Sequence, residues 1–218
     1  MSIVLIMKAR PRRSDITPPI GNISTSGNAT VLDNQGTFNI GNDQSFVGDD
    51  GAFEAIANSG LVRKTAGTGT SVLGSQVSFT NSGTLQSQTG TIQLNGGGSS
   101  SGQFNASSAG ARIDVTNGYQ FNNGATLTGP GQTRVVGGTV TIGAAGTDVV
   151  SAQNVAQAGA TLTGNGTLSV TGVYDWSAGT MTGAGPTSVQ AGGTLHVTGS
   201  VPLSRRIDNF GTLMLSGA

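Results

Sequence analysis

The ten residues Thr161-Leu-Thr-Gly-Asn-Gly-Thr-Leu-Ser-Val170 recur as Thr180-Met-Thr-Gly-Ala-Gly-Pro-Thr-Ser-Val189 and, earlier, as Thr126-Leu-Thr-Gly-Pro-Gly-Gln-Thr-Arg-Val135. Each copy keeps Thr-apolar-Thr-Gly, a second Gly two places on and a closing Val, which reads as strand, tight turn, strand. The second copy starts 35 residues after the first and the third 19 after the second. Those intervals match two turns and one turn of a coil of about 18 to 20 residues. A strand that short cannot bury a core alone, so the period selects stacked coils, a solenoid.

The alternative for a chain with 37 glycines and only 9% charged residues is a flexible linker. Linkers do not place apolar residues at every second position, as Thr139-Val-Thr-Ile142 and Thr194-Leu-His-Val197 do. In the first of these Val140 and Ile142 share one side and the threonines the other, which predicts an apolar face turned inward and a Thr face turned to water. Burying each such side chain is worth about 1.5–3 kcal/mol. Ordering a coil costs about 1–2 kcal/mol per residue, so no coil stands without neighbours. The fold class predicted is all-β, a parallel β-helix (β-solenoid) with coils of about 18–23 residues. Only Ala52 to Ala57 offers a short helical candidate.

Corners are signalled by Asn58-Ser-Gly-Leu61, Asn81-Ser-Gly-Thr-Leu85, Asn123-Gly-Ala-Thr-Leu127 and Asn209-Phe-Gly-Thr-Leu213. Asn and Gly both tolerate left-handed backbone, and the following Leu restarts the strand. Phe79, Phe104 and Phe121 precede such corners and are predicted to point inward, each stacking on the Phe of the next coil.

Three segments follow. Residues 1–20 read as an unstructured leader, since Pro11, Pro18 and Pro19 remove backbone donors and Arg12 and Arg13 repel. Residues 21–57 read as an irregular capping segment; Asp33, Asp43, Asp49, Asp50 and Glu54 cluster there, and a cap is preferred to a carboxylate site. Residues 58–218 read as the solenoid, continuing beyond the chain as given. Ile3 to Met7 is too short for a secretory signal or a membrane span, and its charges follow it instead of preceding it.

Ten basic and ten acidic residues cancel, so no global field directs the chain to nucleic acid or an anionic membrane. The exception, Lys8, Arg10, Arg12 and Arg13, reads as a solvated tail more readily than as a nucleic-acid arm. The absence of cysteine excludes disulfides, thiolate catalysis and Cys-based zinc sites.

Within the repeats the acids Asp114, Asp148, Asp175 and Asp208 stand singly, with Arg112 near Asp114, and Arg205 and Arg206 near Asp208, as local surface pairs. A carbohydrate-active enzyme needs two or three acids and bases converging on one face. His196 is the only histidine, predicted outward; alone it makes a poor metal site, and a triad would need a placed nucleophile and an orienting acid. Gly129-Pro-Gly131, Gly164-Asn-Gly166 and Gly183-Ala-Gly185 lack the rest of a phosphate loop and read as turns. Tyr174 and Trp176 alternate on one side and are placed in the core; facing water, they would instead mark a sugar site. The pairs Thr126/Thr128, Thr139/Thr141, Thr161/Thr163 and Thr180/Thr182 resemble the Thr ladders of ice-binding solenoids, though Gln86, Gln93, Ser169, His196 and Met214 break the pattern. No catalytic, cofactor-binding or metal-binding residue is assigned, and no cofactor is expected.

The Gly-Thr-Leu strands, the Asn-Ser-Gly corners and runs such as Gly164-Asn-Gly-Thr-Leu-Ser-Val-Thr-Gly172 resemble the Gly/Thr/Asn-rich right-handed parallel β-helix repeats of large bacterial secreted and surface proteins, which implies a right-handed parallel β-helix here. They are similar to autotransporter passengers and filamentous-haemagglutinin-type adhesins, over about residues 58–218. The resemblance implies a non-enzymatic stalk or adhesin segment, extracellular or on the cell surface. It further implies more coils in a full-length chain, glycan or protein partners, and neither nucleic-acid binding nor membrane insertion by this segment. A β-helical polysaccharide lyase or glycosidase is the alternative, and an ice-binding solenoid a minor one.

Overall fold

The computed structural model describes residues 4–7, 23–25, 31–48 and 54–217. The fold is a parallel β-solenoid of about 9 turns, with no helix among the described residues. From Ile23–Thr25 to Thr126–Thr128 each strand pairs with the strand three places on, so each of these coils lays one strand on each of three faces. The first, an asparagine face, stacks Val31–Asn34, Glu54–Asn58, Val77–Asn81, Gly98–Ser100, Tyr119–Phe121 and Thr139–Ile142. The second, an amide face, stacks Thr37–Ile40, Leu61–Lys64, Thr84–Ser87, Gln103–Ala106 and Thr126–Thr128. The third, a charged face, stacks Thr70–Leu73, Thr91–Leu94, Arg112–Val115 and Gln132–Val135. The strand Val149–Thr163 then wraps a whole coil, pairing with all three faces and bending at register shifts.

Coil lengths run from 18 residues, Val150 to Leu168, to 27, Phe46 to Leu73, wider than the predicted range because the turns vary while the strands keep register. Stacking also crosses the expected boundary at residue 57: Val31–Asn34 pairs with Ala55–Asn58, and Thr37–Ile40 with Leu61–Lys64. Within the expected leader, Val4–Met7 is a strand paired with Val31–Asn34, while Pro11, Pro18, Pro19 and the basic residues lie outside the described residues. The short helical candidate is a strand over Glu54–Asn58, its alternate residues buried.

The repeat copies do not all occupy the same place. Thr161 and Leu162 stack on Thr139 and Val140 and carry Thr180 and Met181, so the later copies lie on consecutive coils of the asparagine face. The first copy lies on the amide face, Thr126 on Gln103 and Leu127 on Phe104. The interval of 35 residues between the first two copies is thus not two turns: the copy has slipped by one corner. Leu162, Met181, Val170 and Val189 fill the core as their alternation predicts.

The two glycines of the repeat serve different ends. Gly164 and Gly183 have φ of 116° and 94°, which other residues rarely adopt. Gly185 is excluded from carrying a side chain by its neighbour below, since a Cβ there would lie 2.0 Å from the Gly166 carbonyl oxygen. The same crowding runs along another corner: a Cβ on Gly60, Gly83 or Gly102 would lie 2.1 Å from the carbonyl oxygen of Gly36, Gly60 or Gly83, respectively.

Asparagine at the corners acts in a way the sequence does not announce. No described residue other than glycine has positive φ, so Asn58 and Asn81 are not left-handed turn residues. They close their strands pointing inward, 2% and 1% exposed. Asn34 Nδ2 donates to Asn58 Oδ1 at 2.7 Å, Asn58 Nδ2 to Asn81 Oδ1 at 2.7 Å, and Asn81 Nδ2 to Ser100 Oγ at 3.1 Å. Each amide also reaches a carbonyl of the next face, Leu61, Thr84 and Gln103 in turn. A buried amide is tolerable only when both its ends are bonded, and stacking supplies both. Asn123 and Asn209 do not join this ladder; Asn123 Oδ1 instead accepts the Val149 N–H at 2.9 Å.

Above Ser100 the same position becomes Phe121 and then Ile142. Phe79, Phe104 and Phe121 all point inward but do not stack on one another along a single ladder. Phe79 and Phe121 come from the asparagine face and Phe104 from the amide face, and they meet across the core with Tyr119. Phe104 is edge-on to Phe121 at 5.2 Å and tilted against Tyr119 at 5.6 Å.

Substituting Gly83→Ala forces a Cβ against a backbone carbonyl, while Gly110→Ala meets nothing within 4 Å. We expect the first to lower stability by about 1–3 kcal/mol and the second to leave thermal melting nearly unchanged. Equal melting temperatures for the two variants would contradict the corner packing. The two tyrosines, Tyr119 and Tyr174, are both buried, and burial raises the pKa of each phenol. Their neutral forms contribute stability that is complete below the unfolded phenol value, about 10, and lost as pH rises above it. An ultraviolet titration should therefore show no phenolate below the pH at which the fold opens, then both together; a gradual rise near about 10 in the folded protein would refute the burial.

Candidate functional site: the charged outer face

Outward positions stack just as inward ones do, and one face gathers Arg112, Asp114, Arg134, Asp175 and His196. Gln93, Asp114, Arg134, Ala156, Asp175, His196 and Met214 form a single column on seven successive coils of the charged face. Asp114 does not pair with its sequence neighbour Arg112. It takes Arg134 from the coil above: Nε donates to Oδ1 at 2.7 Å and Nη2 to Oδ2, a bidentate pair. The Asp114 side chain is 7% exposed, and its hydrogen bonds hold the Arg134 guanidinium above its ordinary pKa.

Two rungs above Arg134, beyond the small Ala156, the column resumes with Asp175 and His196 in direct register. His196 faces outward, as its alternation predicts, but it is not alone. Asp175 Oδ1 lies 3.1 Å from Nδ1, and Ser216 Oγ of the next coil lies 2.6 Å from Nε2. Gln132 Nε2 reaches Asp175 Oδ2 at 3.4 Å from two coils below. The orienting acid and the hydroxyl that the sequence did not supply are thus brought in by stacking.

The other candidates are placed elsewhere. Asp148 closes a turn, its Oδ2 accepting the N–H groups of Ala144 and Ala145 at 2.8 and 3.0 Å. Asp208 pairs with Arg206 at 2.7 Å on the surface. Asp114 and Asp175 share a column but stand three rungs apart, roughly 14 Å at the usual strand spacing. That exceeds the separation at which two carboxylates act together on a glycosidic bond, about 5–9.5 Å. Among the described residues no group of three or more His, Cys, Asp or Glu could hold a metal.

The acidic cluster of the capping segment also divides. Asp43 pairs with the fully buried Lys64 at 2.6 Å, and that hydrogen bond lowers the pKa of its carboxyl. The Lys64 ammonium additionally donates to the Asn42 carbonyl and to Ser71 Oγ, so its three protons are all used. Asp33 accepts from Gln35, Glu54 is buried, and Asp49 and Asp50 lie outside the described residues.

Tyr174 and Trp176 are in the core, 0% and 1% exposed, and do not form a sugar-binding face. The Tyr174 hydroxyl donates to Gln157 Oε1 at 3.0 Å, and Gln157 Nε2 donates to the carbonyls of Ala160 and Thr180. A neighbouring void of about 10 Å³, lined by Phe121, Leu127, Val155 and other apolar side chains, is too small for a ligand. The Thr pairs separate as well. Thr139, Thr161 and Thr180 stack on the asparagine face, with Thr141 beneath Thr163, but Gln120 lies below Thr141, and Thr126 and Thr128 are on the amide face.

The Gly-x-Gly turns do hold a charged group, of the sign opposite to a phosphate and from within the chain. Arg205 is 3% exposed, and its Nη1 donates to the carbonyls of Gly164 and Thr182 at 3.0 and 3.2 Å. Its Nη2 donates to the carbonyls of Gly166 and Pro186 at 2.7 and 3.1 Å, and Nε to Thr187 Oγ1 at 3.2 Å. One guanidinium therefore ties the turns of two coils to a third, and burial lowers its pKa. The sequence pairs Arg205 with Asp208, and no local pattern separates it from the exposed Arg206.

Arg205→Met would leave those carbonyls buried without donors, each at a cost of about 1–3 kcal/mol. We expect a loss exceeding about 3 kcal/mol in denaturant unfolding, with Arg206→Met near neutral; similar effects of the two would show that the cage is not structural. No protein-family model matches the chain, no curated protein is similar enough to count as a match, and no solved structure matches it either.

Proposed function

We propose that the chain is a rigid segment of a secreted or cell-surface bacterial protein. In this reading it acts mechanically as a stalk, with its long outer faces open to lateral contact with glycans or proteins. The observation that carries the reading is the unbroken axial stacking: about 9 turns give a rod roughly 40 Å long at the usual strand spacing. The buried Asn34–Asn58–Asn81 ladder and the Arg205 cage lock successive coils together, which favours a load-bearing rod over an articulated one. The repeat's likeness to secreted bacterial solenoids supports the location, and the absence of cysteine agrees with it. The charged face is the side best equipped for polar contacts, with Arg112 and Gln132 stacked beside the Asp114–Arg134 pair.

Antibodies raised against the folded solenoid provide the test. They should label intact cells of the source organism or its culture medium; labelling that appears only after permeabilisation would overturn the proposed location.

A further inference from the structure

Asp175, His196 and Ser216 come from three consecutive coils of the charged face and make one chain of polar contacts, 3.1 Å from Asp175 Oδ1 to His196 Nδ1 and 2.6 Å from His196 Nε2 to Ser216 Oγ. The proton positions follow from chemistry. A carboxylate only accepts, so Nδ1 carries the hydrogen facing Asp175; in the neutral ring Nε2 is then a bare lone pair, and it accepts the Ser216 hydroxyl proton. Other outward serines use that proton differently. Ser78, Ser107 and Ser177 donate to the backbone carbonyls of Glu54, Ser87 and Gln157. Ser216 alone among them faces a base.

The setting holds this geometry without closing it. The Ser216 N–H is fixed to the Val197 carbonyl at 2.9 Å, and Asp175 and His196 are held in direct register by their strands. Ser216 is exposed, so a small carbonyl compound can reach Oγ from solvent.

We propose that Ser216 is a base-activated nucleophile, with His196 as its general base and Asp175 as a positioning residue, and that it takes the acyl group from small esters. The Ser216 oxygen bonds to the ester carbonyl carbon while its proton passes to His196 Nε2. The bond from that carbon to the alcohol oxygen then breaks, and His196 returns the proton to the departing alcohol. The products are acyl-Ser216 and a free alcohol. Water, deprotonated by the same ring, then bonds to the acyl carbon; the bond from that carbon to Ser216 Oγ breaks, and His196 returns the proton to Oγ, which releases the acid and restores the serine. No oxidant or other reactant is needed. This activity goes beyond the mechanical role and does not depend on it.

The test uses the full chain with p-nitrophenyl acetate and with a fluorophosphonate probe, read by peptide mass spectrometry at Ser216 and, as an internal standard, at Ser177. Ser216 should be modified at least about 100-fold faster than Ser177. His196→Ala should remove that advantage, and added imidazole should restore part of it. Asp175→Asn should reduce the rate at least about tenfold, and Asp175→Glu should recover most of it. These variants lie on an outer face, and unchanged labelling at Ser177 together with an unchanged melting curve reports that the fold persists. The proposal is overturned if wild-type Ser216 reacts at the rate of Ser177, or if His196→Ala reacts at Ser216 like wild type.

Discussion

Everything in this molecule depends on one constraint, the parallel backbone ladder that sets each residue about 4.8 Å above its counterpart in the coil below. At that spacing a position is not an individual residue but a column, and whatever suits one member must suit the next. The corner column Gly36–Gly60–Gly83–Gly102 is the severest case, because each carbonyl oxygen occupies the place a Cβ would take in the residue above. The Asn34–Asn58–Asn81 column is the favourable case. A side chain with a donor at one end and an acceptor at the other satisfies itself indefinitely when repeated, and Ser100 can end the series because its hydroxyl accepts the last amide proton.

Columns also show where the core departs from oil. Lys64 stacks on Ile40 and beneath Ser87, a fully buried ammonium in a position that is otherwise apolar or small. Arg205 is buried near the other end with no carboxylate partner among the described residues. Lys64 is held by the Asp43 carboxylate with the Asn42 carbonyl and the Ser71 hydroxyl, and Arg205 by four turn carbonyls and the Thr187 hydroxyl. Turns of a solenoid leave carbonyl oxygens unused by the ladder, and a cation with several donors, placed where those oxygens converge, repays its desolvation by satisfying them. The cations thus take the place that side-chain caps and waters fill at the irregular ends of other folds.

The architecture was legible because it is local. The alternation in Thr139-Val-Thr-Ile142 assigns faces within four residues, and Val140 and Ile142 are indeed buried, as are Tyr174 and Trp176. The roles of polar residues were not legible, because each is decided by a partner a coil away, and coil length varies from 18 to 27 residues. Asn58 resembles a turn residue until it is known that Asn34 lies below it and Asn81 above it. Arg112 looks like the partner of Asp114 until the coil above brings in Arg134. Arg205 and Arg206 are neighbours of identical type, and both precede the strand Ile207–Asn209, so no strand alternation tells them apart. Even the repeat misled by one corner, since Thr126 and Thr161 open the same ten-residue pattern on different faces.

The same geometry governs any chemistry on the outside. A helix or loop can assemble three functional groups from neighbouring residues, and a short motif then betrays them. A solenoid offers one side chain per column per coil, so a constellation of three draws on positions such as 175, 196 and 216, separated by about twenty residues of unrelated turn and strand. Such a site leaves no signature in the residues flanking His196. What the fold supplies in exchange is precision, because Asp175 and His196 are positioned by the hydrogen-bonded ladder itself and not by a loop. The glycine turns and the Asn ladder, which touch no ligand, are therefore what fixes the relative height and register of the outward groups.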